Sequence, residues 1–266
     1  MADLKSEDPR SVPDTLQVDM VSKSFGGLRA ISKLSFDVRE RSISAIIGPN
    51  GAGKTTVFNL ISGLERLDEG TITFQERRID DLKPHQIPYR RIGRTFQNLR
   101  LFSNMNVIEN VMMGRYNRST AGFLSCALHG RKFKREEAEI RERAGYWLEF
   151  MNLYDLRYSK ISQIPFEKQR MVEITRAVAS EPDLILLDEP AAGLNITETN
   201  DLIDTVYKIR ELGITILIVE HDMDLIMEIS ENIVVLNFGE KIADGTPSEI
   251  QQDDRVIAIY LGKEFA

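Results

Sequence analysis

A glycine-rich segment of nine residues has the composition and spacing needed to hold a polyphosphate: Gly48-Pro49-Asn50-Gly51-Ala52-Gly53-Lys54-Thr55-Thr56. It fits the pattern G-x-x-x-x-G-K-[ST], in which glycines let backbone N–H groups converge on phosphate oxygens at the start of a helix. Lys54 would supply a charge to the β- and γ-phosphates, and the hydroxyl of Thr55 would ligate Mg2+. We therefore predict a nucleotide site formed by Gly48, Asn50, Gly51, Ala52, Gly53, Lys54, Thr55 and Thr56.

A second segment, Asp183-Leu184-Ile185-Leu186-Leu187-Asp188-Glu189-Pro190, is an apolar run that ends in two acids. In a phosphate-hydrolysing site, Asp188 would hold Mg2+ through water, and Glu189 would orient or deprotonate the attacking water. The simpler interpretation is a buried strand with a polar end. Because the glycine-rich segment is present, we favour the catalytic interpretation.

Three further residues are weaker candidates when each is taken alone. His221 follows the apolar run Gly213 to Val219, and the end of such a strand lies on the ligand rim of an open α/β sheet, where an imidazole could reach the γ-phosphate and the water. Gln97 follows a predicted strand, and its amide oxygen could reach a metal. Phe25 lies at a Gly-Gly turn and could stack on adenine or belong to the core.

The elements beside the glycine-rich segment are those it needs. The apolar run Ser42 to Ile47 predicts a buried strand, and Val57 to Ile61 predicts the first turns of a helix. This strand–loop–helix order argues against the alternative of a glycine-rich turn that carries a lysine by chance.

The rest of the chain alternates strand and helix signals. We predict an N-terminal tail over 1–14 and antiparallel strands at Leu16–Met20 and Leu34–Val38. The predicted helices are a short one at Pro84 with His85 on its surface, Val107–Met113, Arg131–Met151, one near Gln169 and one capped by Asn195 with Glu198. The chain ends in a predicted strand pair, Ile233–Leu236 and Lys241–Ala243, and two helices, Pro247–Gln251 and Asp254–Leu261, which we interpret as a structural cap on the sheet.

Composition narrows the class of protein. The chain has 266 residues, 42% of them hydrophobic and 28% charged, with a formal net charge of -7, which favours a globular protein without a basic nucleic-acid surface. No apolar stretch approaches the roughly 18 residues needed to cross a bilayer, so we expect a cytoplasmic protein. The single cysteine, Cys126, permits no internal disulfide, and we interpret it as an apolar filler in preference to a thiol paired with His129. The basic residues at 131, 132, 134 and 135 predict a solvated face or, less strongly, contact with anionic lipid.

From Leu16 onward, these motifs appear in an order that resembles the nucleotide-binding domains of ABC transporters. Finer features are similar to the ATP-binding subunits of branched-chain amino-acid importers: Arg94-Thr95-Phe96-Gln97, Val107-Ile108-Glu109-Asn110-Val111, Asp188-Glu189-Pro190-Ala191-Ala192-Gly193-Leu194-Asn195, Glu220-His221-Asp222-Met223, Tyr260-Leu261-Gly262 and the insert 114–130.

The resemblance implies an α/β fold, with a P-loop NTPase core, an antiparallel β subdomain and an α-helical subdomain. The core would span 15–105 and 181–266, and the helical subdomain 106–180. It also implies ATP and Mg2+ as ligands, and two such subunits clamped head-to-tail beneath two membrane permease subunits at the cytoplasmic face of the inner membrane. An external solute-binding protein would take part indirectly. The loop from Gln97 to Phe102 would contact the permease, chiefly through Leu101 and Phe102.

One segment departs from the pattern of the resembled family. The signature loop of that family normally carries a glycine that faces the γ-phosphate of the opposite subunit. This chain instead has Pro165-Phe166-Glu167-Lys168, with Glu167 at the glycine position. Two like charges about 4 Å apart at an effective dielectric near 20 repel by on the order of 4 kcal/mol. We therefore expect pairing with a different subunit that has an intact signature; the alternatives are that Glu167 turns away, that Lys168 neutralises it, or that the variant is tolerated in a homodimer.

Three functions follow from these observations. The first is the motor subunit of an importer of branched-chain amino acids or a related small polar solute, such as amides or urea. The second is a soluble ABC ATPase that acts on DNA or ribosomes, for which the sequence shows no second core, coiled coil or basic surface. The third is a nucleotide-binding regulator without turnover, in which Glu189 or His221 would be dispensable.

Overall fold

The computed structural model describes residues 14–116 and 131–261. These residues form two sheets, and helices pack against them. The strands are β1 (Asp14–Phe25), β2 (Leu28–Arg39), β3 (Ile43–Ile47), β4 (Glu69–Phe74), β5 (Arg77–Arg78), β6 (Ile92–Arg94), β7 (Leu184–Asp188), β8 (Thr215–Val219), β9 (Asn232–Asn237) and β10 (Glu240–Gly245). The helices are α1 (Lys54–Ile61), α2 (Val107–Arg115), α3 (Arg131–Phe150), α4 (Phe166–Ala179), α5 (Ile196–Glu211), α6 (Met223–Ile229), α7 (Pro247–Gln251) and α8 (Asp254–Leu261), with short 3-10 turns at Pro84–Arg90, Tyr154–Leu156 and Ile161–Gln163.

The larger sheet has six strands in the order β10-β9-β3-β8-β7-β6. All its neighbouring pairs are parallel except the edge pair formed by β9 and β10. Every residue of β3, β7 and β8 is buried, as expected for strands covered on both faces. This explains why these strands appear in the sequence as continuous apolar runs.

The smaller sheet has four antiparallel strands in the order β2-β1-β4-β5. Its first pair is a long hairpin whose turn lies directly after Phe25, which pairs with Leu28. The predicted antiparallel strands are therefore confirmed, although each is twelve residues long and extends beyond the predicted bounds. Asp14, predicted to belong to the tail, pairs with Arg39 at the start of β1.

Alternation along the central strands divides the interior into two apolar cores. On β3, Ile43, Ala45 and Ile47 belong to a core shared with helices α2 to α8, whereas Ile46 belongs to a core shared with α1 and the antiparallel sheet. The second core includes Val57 and Phe58 of α1, the helix that begins in the glycine-rich segment 48–56, which we call the phosphate loop. One face of the central sheet thus packs against helices α2 to α8, and the other packs against α1 and the antiparallel sheet.

Helix starts follow the capping residues where these are present. Asn106 caps α2 with Glu109, and Asn195 caps α5 with Glu198, each in a reciprocal pair of hydrogen bonds. The predicted cap at Asn195 is confirmed, as are the bounds of α7 and α8 and the exposed position of His85.

Some predicted bounds were wrong. Helix α4 begins at Phe166 after Pro165, not near Gln169, because proline is compatible with the extended conformation of the preceding cap position. Helix α1 begins at Lys54, three residues before Val57, directly after the left-handed Gly53. Helix α2 continues to Arg115, into the segment predicted to be an insert.

Several predictions fall on residues that the structure does not describe: the tail over 1–13, most of the insert, Cys126 and His129, and the end of the chain after Leu261. The positions of the side chains at 131 and 132 in the basic cluster also lie outside the described part. Within 14–116 and 131–261, no helix combines the length and apolar character needed to cross a membrane.

Candidate active site

The central sheet brings the chemically interesting segments to one edge. Strands β3, β8 and β7 are adjacent and parallel, with Ile46 opposite Val219, and Val219 opposite Asp188. The residues that follow these strands therefore emerge side by side at the carboxyl edge, where open α/β sheets bind ligands. They are the phosphate loop, the pair Asp188–Glu189 and the pair Glu220–His221.

Two glycines of the phosphate loop occupy positions that a side chain would disturb. Gly53 has φ +104, and an added Cβ would lie 2.6 Å from the side chain of Ile31 and 2.9 Å from the carbonyl oxygen of Ala30. A Cβ on Gly48 would collide with the carbonyl oxygen of Leu236. Gly53 precedes α1 without a side-chain cap, so the first N–H groups of the helix are available to an anion.

Lys54 stabilises the loop in addition to carrying its charge. Its Nζ donates hydrogen bonds to the carbonyl oxygens of Gly48 at 2.6 Å and Pro49 at 3.2 Å. The ammonium group is almost buried and contributes to holding the Asp188 carboxylate in its charged form. The loop is thus wrapped around the lysine that would bind the phosphates.

A groove of about 580 Å³ lies over the loop, a volume suited to a small-molecule ligand. Its walls come from the β1–β2 hairpin, the phosphate loop, the segment after β6, the end of β7 and the β9–β10 turn. The lining residues are Phe25, Leu28, Arg29, Ala30, Asn50, Gly51, Ala52, Gly53, Lys54, Thr55, Thr56, Gln97, Glu189 and Phe238. Three predicted site residues lie outside this lining but beside it. Gly48 accepts a hydrogen bond from Lys54, Asp188 precedes Glu189, and His221 lies near Glu189.

Phe25 is a groove residue and not a core residue. Its side chain is 43% exposed, and Nζ of Lys23 lies 5.2 Å from the centre of its ring. The ring therefore offers an accessible flat face at the wall of the groove. The structure contradicts the alternative that Phe25 belongs to the core, whereas its stacking on adenine stays a prediction.

Asp188 forms a nearly buried ion pair that the sequence did not predict. Arg94 donates from Nη2 to Oδ2 of Asp188 at 3.1 Å, and its Nη1 donates to the carbonyl of Phe58 and the hydroxyl of Ser62. Burial raises the pKa of Asp188, while the Arg94 guanidinium opposes this rise. The other carboxylate oxygen, Oδ1, is buried with no hydrogen-bond partner among the described residues.

The unpartnered oxygen of Asp188 fits a cation or its bound water, because buried carboxylate oxygens normally have partners. Thr55 supplies a hydroxyl in the adjacent groove, and Gln97 supplies an amide. Hydroxyl, carboxylate and amide oxygens are the ligands that Mg2+ prefers. The predicted ligand set of Thr55, Gln97 and Asp188 is therefore chemically suited to that ion.

Glu189 is the centre of a polar cluster at the rim. Nε2 of Gln97 donates to its Oε2 at 2.9 Å, and Nδ1 of His221 lies 3.8 Å from the same oxygen. The backbone of Glu189 has φ +47, which is strained for a residue with a side chain and is common at functional sites. The cluster gives this carboxylate two polar neighbours within reach of the groove.

Glu220 connects two of the segments at the carboxyl edge of the sheet. It is fully buried and accepts hydrogen bonds from the backbone N–H groups of Ala191 at 2.7 Å and His221 at 3.0 Å. Burial raises its pKa, and these hydrogen bonds oppose the rise. Glu220 thus ties the segment after Glu189 to the segment that carries His221.

The sequence analysis gave no role in the site to four residues of this region: Arg94, Glu220, Phe238 and Tyr260. Phe238 is 85% exposed at the β9–β10 turn, with φ +46. Tyr260 of α8 forms a hydrogen bond with the backbone of Gly48, which partly opposes the effect of burial that raises its pKa to about 12. The last helix therefore contacts the phosphate loop and does more than cap the sheet. The sequence offered a signal for two of the four. Arg94 lies two residues after the start of β6, and Glu220 is an acid next to the candidate histidine His221.

In the segment Pro165-Phe166-Glu167-Lys168, Pro165 is the cap position and the other three residues begin α4. Phe166 is exposed, and its ring lies against Gly193. Glu167 and Lys168 are half-buried and line a small cleft toward α5, with Asp201 and Lys208 on its far side. Glu167 lies in the first helical turn, where a carboxylate interacts favourably with the helix dipole.

Sequence comparison places the chain among proteins of known class. The profile described as "ABC transporter" matches residues 31–192, and one described as "Branched-chain amino acid ATP-binding cassette transporter" matches residues 240–266. The chain is 42% identical over 249 residues to the high-affinity branched-chain amino acid transport ATP-binding protein LivG of Salmonella typhimurium, which covers 93% of this chain and 98% of that protein. It is 41% identical, with the same coverage, to the corresponding protein BraF of Pseudomonas aeruginosa.

Structural comparison agrees with the sequence. A crystal structure of the ADP conformation of an ATP-binding cassette from an ABC transporter superposes with a TM-score of 0.82 at 31% identity, covering 94% of this chain and 99% of that one. The predicted fold class, an α/β P-loop NTPase with an antiparallel sheet and helices, is confirmed. The chain belongs to the ABC transporter family, of which it is an ATP-binding domain.

Proposed function

We propose that this chain is the ATP-binding and ATP-hydrolysing subunit of an importer for branched-chain amino acids or a related small polar solute. The observation that carries the proposal is the convergence of the phosphate loop and Glu189 at one groove, with Asp188 directly beside Lys54 and Glu189. The similarity to LivG and BraF, whose names describe branched-chain amino acid transport, supports the choice of solute.

In this proposal the phosphate loop binds the triphosphate. Backbone N–H groups at the start of α1 hold phosphate oxygens, and Lys54 places its charge beside them. The exposed ring of Phe25 stacks on the adenine. Thr55, Asp188 and Gln97 hold Mg2+, which when bound neutralises charge on the transferred phosphoryl group.

Hydrolysis uses the rim cluster. Glu189 orients the attacking water and accepts its proton, and Gln97 fixes the direction of that carboxylate through its 2.9 Å hydrogen bond. His221, held by the backbone hydrogen bond to Glu220, hydrogen-bonds the γ-phosphate from the other side. The catalytic residues are then Lys54, Glu189 and His221.

The partner in the membrane contacts a second groove of about 410 Å³, bounded by the 3-10 turn at Pro84–Arg90, the segment after β6 and α2. Phe102 lines this groove and is 46% exposed, whereas Leu101 is half-buried against the core. Phe102 is therefore the stronger candidate for contact with a permease subunit. The chain would lie at the cytoplasmic face of the inner membrane, reached only indirectly by an external solute-binding protein, and would bind no nucleic acid.

We also propose the division inferred from the sequence, with residues 15–105 and 181–266 as the catalytic core and 106–180 as a helical subdomain. Helices α2, α3 and α4 follow β6 and precede β7 in the chain, and they pack on one another. This packing supports the division. Glu167 at the start of α4 supports pairing with a different ATP-binding subunit, so that this carboxylate lies in only one of two composite sites. The homodimer is the second candidate.

The proposal is tested by purifying the chain in detergent from cells that also express its membrane subunits. We expect hydrophobic subunits to co-purify, ATP hydrolysis to rise when the loaded solute-binding protein is added, and Glu189→Gln to reduce hydrolysis at least about a hundredfold. Glu211→Gln, at an exposed position near the end of α5, is the matched control. Hydrolysis that persists in Glu189→Gln, or a chain that purifies without membrane subunits, would contradict the proposal.

A further inference from the structure

We propose that Arg170, Glu173 and Arg176 of α4 are positioning residues for ATP hydrolysis, because together they fix the loop that carries Gln97 against Glu189. The inference rests on the proposed function, and none of these three side chains lines the nucleotide groove. Their spacing of three residues places all of them on one face of α4, the face that meets the loop 96–100.

Arg170 holds the first half of the loop. Its side chain is 2% exposed, and Nη1 donates to the carbonyl oxygens of Phe96 and Gln97, each at 3.2 Å. Nη2 donates to the same Gln97 carbonyl at 3.2 Å. The planar guanidinium therefore fixes the backbone on either side of the Gln97 peptide, which a single ammonium could not do with the same geometry.

Glu173 and Arg176 hold the second half. Glu173 is fully buried and accepts a hydrogen bond from the backbone N–H of Arg100 at 3.0 Å, and Arg176 donates to the carbonyl of Arg100 at 2.6 Å. Glu173 lies 3.5 Å from both Arg170 and Arg176, so its carboxylate joins the two guanidinium groups. The carbonyl groups at 96, 97 and 100 and the N–H group at 100 are thus satisfied by three charged side chains.

The energetics do not favour a purely structural role. Burial lowers the pKa of Arg176 and raises that of Glu173, which shows that the surroundings disfavour both charges. Buried ion pairs contribute little net stability compared with apolar residues of similar volume. Charges in this position are better explained by a need to hold the loop in one defined conformation.

The conformation of this loop matters because it positions the side chain of Gln97 against Glu189. Its backbone carbonyl is held by Arg170, and its side-chain Nε2 donates to Oε2 of Glu189 at 2.9 Å. Helix α4 also begins at Phe166, whose ring lies beneath the Arg170 guanidinium with the group 5.6 Å from the ring centre. One helix thus connects the segment that carries Glu167 with the residue that orients Glu189.

The test is a double-mutant cycle in the complete complex with Arg170→Lys, Gln97→Ala and the double variant. Lysine keeps the charge but cannot hold two carbonyls in the same plane, so we expect kcat to fall by about tenfold while the KM for ATP changes by less than about twofold. In the Gln97→Ala background, Arg170→Lys should reduce kcat by less than about twofold further, because it acts through Gln97. Effects that multiply independently would overturn the positioning role.

Amide hydrogen exchange of the isolated full chain gives a readout that does not depend on turnover. Arg170→Lys and Arg176→Lys should each speed exchange at 96–100 by about tenfold. Arg115→Lys is the matched control, because Arg115 donates to the Ala179 carbonyl at the opposite end of α4 and does not bind the loop. Exchange at 96–100 that is unchanged in both loop variants would overturn the inference. Absence of hydrolysis by the unaltered complex would instead contradict the proposed function.

Discussion

Arg94 donates a hydrogen bond to Oδ2 of Asp188 at 3.1 Å, and both side chains are almost completely buried. Arg94 also lies 4.9 Å from the ring centre of Phe96 and 5.7 Å from that of Phe58, so its guanidinium is enclosed by aromatic faces. The candidate metal ligand is thereby paired with a cation supplied by the protein itself.

Arg94→Met should destabilise the fold, because it leaves the buried Asp188 carboxylate without its partner. Removing one member of a buried pair costs about 3–5 kcal/mol, and urea unfolding measures the loss. Arg91→Met is the control, because Arg91 pairs with Asp183 at a largely exposed position and should contribute less than about 1 kcal/mol. Equal losses in the two variants would contradict this account of the pair.

Gly53→Ala should abolish most nucleotide binding. The left-handed backbone of Gly53 costs a side chain about 1–2 kcal/mol, and the close approach to Ile31 and Ala30 adds to that strain. Gly27→Ala is the control, since an added Cβ there meets nothing within 4 Å. Calorimetric titration with ATP would show the difference, and similar affinities in both variants would refute the predicted strain.

Local signals predicted much of this fold from the sequence. The strand ends at Asp188 and Val219, the Asn195 cap and the phosphate loop each depend on residues close together in the chain, so periodicity and capping rules were sufficient. The pair formed by Arg94 and Asp188 spans 94 residues and exists only because β6 lies beside β7. No local pattern distinguishes such an arginine from a solvated one.

Phe25→Ala should weaken ATP binding. Loss of the ring's stacking face would cost about 0.5–1.5 kcal/mol, or roughly a two- to twelvefold rise in the dissociation constant. Tyr89→Ala removes an aromatic ring that is also exposed but does not line the groove, so it should leave the affinity unchanged. Equal affinity of Phe25→Ala and the unaltered chain would exclude stacking on this ring.

Glu220→Gln should flatten the pH dependence of stability. Burial raises the pKa of Glu220 above its ordinary value of 4.5, so the folded chain retains this proton at pH values where the unfolded chain has lost it. The free energy of unfolding therefore falls as the pH rises from 4.5 through the raised pKa, and a glutamine cannot contribute to that fall.

Urea unfolding of both proteins between pH 4.5 and 7 measures this slope. Glu149→Gln, at an exposed position of α3, provides the comparison. If the slope of Glu220→Gln matches that of the unaltered chain, Glu220 is not the group that titrates.

Glu167→Gly should raise ATP turnover when the chain is paired with itself. Removing a carboxylate that would repel the γ-phosphate by up to about 4 kcal/mol should increase kcat at least about tenfold, even though glycine weakens the helix by about 1 kcal/mol. Asp201→Asn removes a charge from the far side of the same cleft and should have no such effect. Turnover that stays the same or falls in Glu167→Gly would support the tolerated variant.

The roles of Arg170 and Glu173 illustrate what the sequence could not supply. At helical spacing they are indistinguishable from charges on a solvent-facing side, and only the packing of α4 on the loop 96–100 buries them. The exposure of Phe25 was undetermined for the same reason, since a hairpin aromatic can face either side. Burial of a polar group is decided by elements distant in the chain.

The two cores that meet at the central sheet give neighbouring residues on one strand different neighbourhoods. Ala45 faces helices α2 to α8, and Ile46 faces α1 and the antiparallel sheet. A scan of substitutions along β3 should therefore alternate, residue by residue, between loosening the core packed against helices α2 to α8 and loosening the core packed against α1 and the antiparallel sheet.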